Sequence, residues 1–461
     1  MLKSNSFIIS GAFAVILSQG SFANAPKSES SAKAENSDRL TKLEQRAVYS
    51  DKSSIKIEGS VNRAIQWADN GVRSNLSHIS PAHMTSNLQI TGTHKLGDDL
   101  KIKPVFAIEF GSNLASGRTS DTTVVDVGVS QSNAFASNSL SIRNAEIIAE
   151  SETYGSLFMG RGYMGSTGVI YYTDLSGTSV CLHPYTTIGG ISFRNKATGR
   201  PYNENIFSPG STLKPGGLVF EDGDGVSLAS KSDRIRYDTP KFYGFNASFS
   251  HAFQNKGNLY DASLKFAAIL AKIVVVAQTS WSKNKSEDIV NGLNYSQNLG
   301  QTNVLAMKGP RFKTVNGALG LLFPVSFSGK EWTGINTHIS GARRNWKMRN
   351  QVTGTAIQGK LGFTDEFTAL GHTSFVVSTG RWKAMDIDFW TNVPTFIPGS
   401  AGTGGPIHMV GYNWGTGVVQ NFDAVGTQAY LRYDNFKLKR KGTTDRFHAV
   451  NIVYAGLKVN L

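Results

Sequence analysis

The chain has a single cysteine, Cys181, so no intramolecular disulfide can brace its 461 residues. Long hydrophobic runs are equally scarce. Past the N-terminus the nearest candidate is FAAILAKIVVVA, Phe266 to Ala277, and Lys272 interrupts it. As a helix that stretch would reach only about 18 Å, against a hydrocarbon core of about 30 Å. A membrane-spanning helix is excluded there, and two strands meeting at a tight turn are predicted instead.

Signatures of several enzyme classes are also missing. HExxH, GxSxG and GxxxxGK[ST] do not occur, and the nine histidines are scattered. GRGYMG, Gly160 to Gly165, has dinucleotide-type GxGxxG spacing, but no amphipathic helix follows to meet a pyrophosphate. DGDG, Asp222 to Gly225, lacks the further ligand positions of a calcium loop. No catalytic residue, cofactor or metal ligand is expected, although groups brought together from different strands escape such a search.

Acidic residues are in short supply: 33 Asp and Glu against 47 Lys and Arg give a net charge of +14. The excess suits a basic channel, an anionic ligand or anionic lipid. At the N-terminus, Lys3 precedes an apolar run from Phe7 to Leu17, and small residues follow at Ala23 and Ala25. Residues 1–25 therefore read as a secretory signal peptide. Its removal takes away Lys3 and no acid, leaving +13. Residues 26–53 form an extension in which Leu40, Leu43 and Ala47 recur at helical spacing, either a short coiled coil or a linker.

From Ser54 onward the period changes to two. Ile55, Ile57, Val61, Ile65 and Trp67 share one face, opposed by Lys56, Glu58, Ser60, Asn62 and Gln66. Arg63 falls on the apolar face, costly at a membrane midplane unless it snorkels or the strand bulges. The pattern recurs in paired segments: 87–110 around GDD, 141–150 with 156–161, 233–239 with 245–253, and 259–267 with 273–281. Later strands are predicted at 314–323, 332–343, 355–363, 373–381, 424–436 and 447–461, with a doubtful one at 385–390. Short turns alternate with long polar segments such as Asp69 to Thr85 and Gly111 to Ser139, the asymmetry of an outer-membrane barrel. The last strand, VNIVYAGLKVNL, must be covered along its edge, and pairing with the first would do so.

Three stretches carry a family resemblance: GDDLKIKPVFAIEF, RNAEIIAESETYGSLFMGRGYMG and DRIRYDTPKFYGFNASFSHAF. They resemble, in order, segments of the general porins of Gram-negative outer membranes. The chain departs from that family by finishing on Leu461 where an aromatic residue is usual, and by its longer N-terminal extension. The resemblance implies an all-β transmembrane antiparallel barrel of 16 strands (18 is the alternative) over residues 54–461, with a long third loop folded into the pore. It also implies a homotrimer, recognition of the last strand by the barrel-assembly machinery, and contact with outer-membrane lipid and lipopolysaccharide. The function implied is passive diffusion of small hydrophilic solutes and ions, with no nucleic-acid partner. A substrate-preferring channel, an adhesin and a barrel enzyme are the alternatives.

The third loop would fall between Arg161 and Ser232, which contains FEDGDG. By resemblance its acids Glu221, Asp222 and Asp224 would face a basic wall across a narrow waist; an exposed acidic loop is the other reading. Arg234 and Arg236 lie on the pore-facing row, opposite Ile235 and Tyr237. Arg161 matches the family's wall arginine, yet strict alternation sets it with Leu157 and Met159 on the lipid face. A pore role for it requires the strand to bulge or end first.

Overall fold

In the computed structural model the described residues are 53–81, 86–111, 139–178, 193–199, 231–254, 257–284, 311–325, 327–329, 333–347, 352–385, 387–388, 393–394, 408–441 and 444–461. The expected signal peptide (1–25), the extension except Ser53, and the acids Glu221, Asp222 and Asp224 lie outside them.

Alternation produces the architecture. In β1 (Ser53–Asp69) Ile55, Ile57, Val61, Ile65 and Trp67 are exposed on one face, while Ser60, Asn62, Ala64, Gln66 and Ala68 are buried on the other. Greasy residues outside and polar ones inside invert the rule for soluble proteins, as lipid outside a polar lumen requires. Around the ring follow β2 (Ser74–Ile79), β3 (Ser86–Lys95), β4 (Lys101–Gly111), β5 (Ser139–Ser151), β6 (Gly155–Tyr163), β7 (Lys231–Asp238), β8 (Phe245–Gln254), β9 (Gly257–Leu270) and β10 (Ile273–Asn284). Then come β11 (Arg311–Phe323), β12 (Gly334–Lys347), β13 (Val352–Thr368) and β14 (Gly371–Met385). After a small separate hairpin of β15 (Ile387–Asp388) and β16 (Val393–Pro394), the ring ends with β17 (His408–Phe422), β18 (Thr427–Lys441) and β19 (Val450–Asn460).

β19 pairs antiparallel with β1, from Ser60 opposite Asn460 to Asp69 opposite Asn451. The sheet thus has no edge, and the backbone polar groups at membrane depth find partners within it. The sheet holds 17 strands, but β2 and β3 lie end to end beside β1 and share one place, so the barrel has 16 positions.

Two sequence expectations are corrected here. The segment Asp69 to Thr85 is not one long loop. The 70–73 turn, closed by an Asn70 N–H to Arg73 carbonyl hydrogen bond of 3.1 Å, joins β1 to β2. The descending strand then breaks between Ile79 and Ser86, opposite Val61 to Arg63, and Arg63 Nη1 donates to Ser80 Oγ at 2.7 Å. The break thus supplies a partner for Arg63, the one basic residue on the outward row of β1. Second, β17 has no counterpart among the expected strands, and the doubtful strand at 385–390 is only β15. The inner row of β17 carries three glycines, Gly411, Gly415 and Gly417, which give no alternation signal. Packing requires the first two: a Cβ on Gly411 would lie 1.8 Å from the Trp382 ring, and one on Gly415 2.0 Å from Asp434.

The long connections 112–138, 164–230, 285–310 and 386–407 all leave one rim, while the other carries turns such as 96–100, 152–154 and 271–272. As the sequence predicts, Phe266 to Ala277 is a hairpin. Its two loop residues, Ala271 and Lys272, both have left-handed backbones, φ 48° and 72°. Such a turn prefers Asn-Gly. Ala271→Asn with Lys272→Gly should raise stability by about 0.5–1 kcal/mol, through relief of left-handed strain. A urea midpoint in detergent that falls instead would contradict this.

Candidate functional site

The third loop leaves β6 and lies against the inner wall. Met164 packs on Ala252 and Leu259. Gly165 N–H donates to Ser250 Oγ at 2.8 Å, and Ser166 gives both its N–H and its hydroxyl to Asp261, at 2.8 and 2.6 Å. A one-turn helix, α1 (Val169–Thr173), rests on β10 and β11. Its last residue sits so close to the sheet that a Cβ on Gly320 would lie 1.7 Å from the Thr173 carbonyl oxygen. Thr173 Oγ1 also meets His338 Nε2 at 2.9 Å.

A buried ion pair follows. Lys360 Nζ lies 2.6 Å from Asp174, the two side chains being 1% and 2% exposed, and it also donates to Thr178 Oγ1 at 2.6 Å. Burial by itself would raise the Asp174 carboxyl, but the Lys360 ammonium and the neighbouring His338 outweigh it, so the group is held below its ordinary 3.8. Thr364 Oγ1 then donates to the Ser176 carbonyl at 3.1 Å. Farther along, Asn195 bridges to Phe447, and His448 N–H donates to the Arg194 carbonyl at 2.9 Å. The loop is thereby fastened inside the barrel from β8 to β13, and again at the β18–β19 connection.

The wall from β4 to β9 is basic. Arg234 pairs with Glu146 at 2.6 Å, and Arg236 grips Asp238 with two hydrogen bonds of 2.7 and 2.6 Å. Both guanidinium groups stand over Phe158, at 5.4 and 4.9 Å from the ring centre. Arg143 donates to Tyr163 Oη at 2.7 Å, and Arg143 and Lys231 each come within 3.7 Å of Glu109. Lys265 lies 4.7 Å over the ring of Tyr172, with no carboxylate in ion-pair range among the described residues. Tyr172 and its neighbour Tyr171 are 50% and 40% exposed, so the described part of the loop presents two aromatic rings to the lumen. Around the loop Arg143, Lys231, Arg234, Arg236 and Lys265 meet Glu109, Glu146, Asp238 and Asp261, the last turned to Ser166 and Ser250 in the loop anchor, while toward the short-turn rim Lys103 pairs with Glu150 and Lys101 with Glu152.

Arg234 and Arg236 therefore occupy the inner row, as their parity indicates. Arg161 does not. Its register with Ala145 and Asp233 runs without a shift, and a Cβ on the neighbouring Gly162 would point at Arg234 and Glu146, 2.6 Å from each. With Gly162 inward, Arg161 is outward beside Leu157 and Met159, where its Nε donates to the Ile142 carbonyl at 3.1 Å. The strand neither bulges nor ends before it, so parity overrides the resemblance and Arg161 is not a pore residue.

Sequence reading missed Arg143, Lys231, Lys265, Tyr171 and Tyr172. Arg143 was hidden by a register shift: Ala107 faces Asn144 and Ile108 faces Ile142, so Arg143 is the extra residue of a bulge and escapes the alternation. Lys265, between Leu264 and Phe266, was legible in principle.

A closed sixteen-position barrel with a polar interior and a loop fastened inside it is an outer-membrane channel. The family model described as Gram-negative porin matches residues 14–455, and the chain belongs to that family. Among solved structures, the anion-selective porin of Comamonas acidovorans is similar at 12% identity and TM-score 0.51, covering 89% of this chain and 100% of its own. OprB of Pseudomonas putida is similar at 10% identity and TM-score 0.52, covering 93% and 97%. A loop L8 deletion mutant of OmpT, an outer membrane protein of Vibrio cholerae, is similar at 11% identity and TM-score 0.51, covering 89% and 100%. At such identities the likeness establishes the fold. No curated protein sequence matches the chain.

Proposed function

We propose that the chain is a general diffusion channel for small hydrophilic solutes and ions, with a slight preference for anions. The observation that carries this reading is the basic wall of Arg143, Lys231, Arg234, Arg236 and Lys265, faced by a fastened loop that offers tyrosines. Charge acts most strongly at such a narrowing, where low-dielectric walls focus the field. The acids Glu221, Asp222 and Asp224 belong to the same loop and, in this reading, complete the waist.

The working unit is a homotrimer, assembled with the help of the barrel-assembly machinery acting on the last strand and embedded among lipopolysaccharide and lipid. A groove of about 620 Å³ at the closing seam, lined by Arg63, His78, Leu431, Ala455 and Leu457, supports that unit. Its charged and polar members sit poorly against hydrocarbon.

In planar bilayers under a tenfold salt gradient, the protein should conduct in steps grouped in threes, with a reversal potential on the anion side of zero. A silent protein would favour an adhesin or a barrel enzyme. A cation-side potential would refute the preference while leaving the channel intact.

A further inference from the structure

The cations inside the barrel are largely paired, but a group outside is not. On the outward rows of β14 and β18, Arg381, Lys383, Lys437 and Lys439 are exposed. No carboxylate lies within 4.0 Å of any of them among the described residues.

Their placement is regular. Arg381 is opposite Tyr412 and Tyr412 is opposite Lys437; one level nearer the long-connection rim, Lys383 is opposite Val410 and Val410 opposite Lys439. Strand spacing and rise set the four Cα atoms at the corners of a rectangle about 10 Å by 7 Å. Tyr412 sits in the middle, 5.7 Å from both the Arg381 guanidinium and the Lys439 ammonium. Toward the other rim the same outward rows carry Trp414, then Phe375, Val377 and Leu431, all exposed.

Four cations with no carboxylate partner among the described residues, directly above an exposed apolar belt, fit an amphiphile whose head carries more than one negative charge. A free anion would have no use for the belt, and hydrocarbon alone would not tolerate the cations. The rim with long connections faces the outside in bacterial barrels. Resting on the outer-membrane reading above, we infer that Arg381, Lys383, Lys437 and Lys439 form a docking site for the phosphorylated headgroup of an outer-leaflet lipopolysaccharide. The acyl chains lie along Trp414, Val377 and Phe375, and Tyr412 packs between the two phosphate-binding edges.

The test uses the full-length protein in detergent, with bis-phosphorylated lipid A and the same lipid stripped of both phosphates as probes, bound lipid being read by native mass spectrometry. The native protein should bind the phosphorylated lipid and discriminate against the stripped one. The variant Arg381→Gln, Lys383→Gln, Lys437→Gln, Lys439→Gln should bind it roughly tenfold or more weakly, each such charge adding to headgroup attraction. Lys241→Gln, on the opposite rim, should change nothing. The pair variants Lys383→Gln with Lys439→Gln, and Arg381→Gln with Lys437→Gln, should each show an intermediate loss, which keeps the test open if the fourfold variant does not assemble. Undiminished binding by the assembled variants, or equal binding of the stripped lipid, overturns the site. Conductance, recorded separately, should be the same for all of them, so failure of the docking site and failure of the channel reading give different results.

Discussion

Lys360→Met should release the third loop from the barrel wall. The substitution leaves the Asp174 carboxylate buried and unpaired, at a cost of about 3–5 kcal/mol for a broken buried pair. It also removes the donor to Thr178. The strand ladder does not depend on this contact: β13 remains paired with β12 and β14 over its length. The barrel should therefore still assemble and migrate as a heat-modifiable species, while single-channel records lose their steady open level and fluctuate. Adding Asp174→Asn should recover part of the steady behaviour, since no bare charge then remains.

Acid should imitate the single variant. The Asp174 carboxyl is lowered on folding, so its contribution is fully present above 3.8 and is lost as pH falls through the still lower folded value. Native channels should turn noisy only below that range. A quiet Lys360→Met channel, indistinguishable from native at neutral pH, would show that this ion pair does not hold the loop.

The second large effect concerns selectivity. A unit charge about 4 Å from a passing ion is worth about 1 kcal/mol even at the dielectric of water, or about fivefold in local ion concentration. Lys265→Gln with Lys231→Gln removes two such charges and should shift the reversal potential clearly toward cations at low ionic strength. The shift should shrink in molar salt, where screening acts within about 3 Å. Arg161→Gln should produce no shift, because the side chain faces outward. Replacing Glu221, Asp222 and Asp224 by Gln and Asn should move the potential toward anions. If the lysine pair leaves it unmoved, the wall is not the waist.

Much of the barrel was legible in the sequence because a period of two is a local property. Each strand that alternates cleanly declares its two faces without reference to its neighbours, as β1, the β3–β4 hairpin and β19 do. Arg234 and Arg236 read as inward for the same reason; for Arg161 the same count points outward, against the pore role that the resemblance implies, and the count prevails. Where alternation fails, so did the reading. β17 hides because its inner glycines serve Trp382 and Asp434 on adjacent strands. Arg143 hides because one extra residue moves it off the count. The partner of Arg63 hides because it comes from a break in a different strand.

By itself, then, the sequence determined the class of barrel, the hairpins and most inward rows, all set by residues within a few positions of one another. Only the tertiary structure decided the choice between sixteen and eighteen positions, the loop's path along the wall from Asp261 to Lys360, and the meeting of Arg143, Lys231 and Glu109. Those depend on closure and on contacts between residues as far apart as Asp174 and Lys360. No local period encodes such contacts, because each exists only once the curved sheet has brought distant strands to face the same lumen.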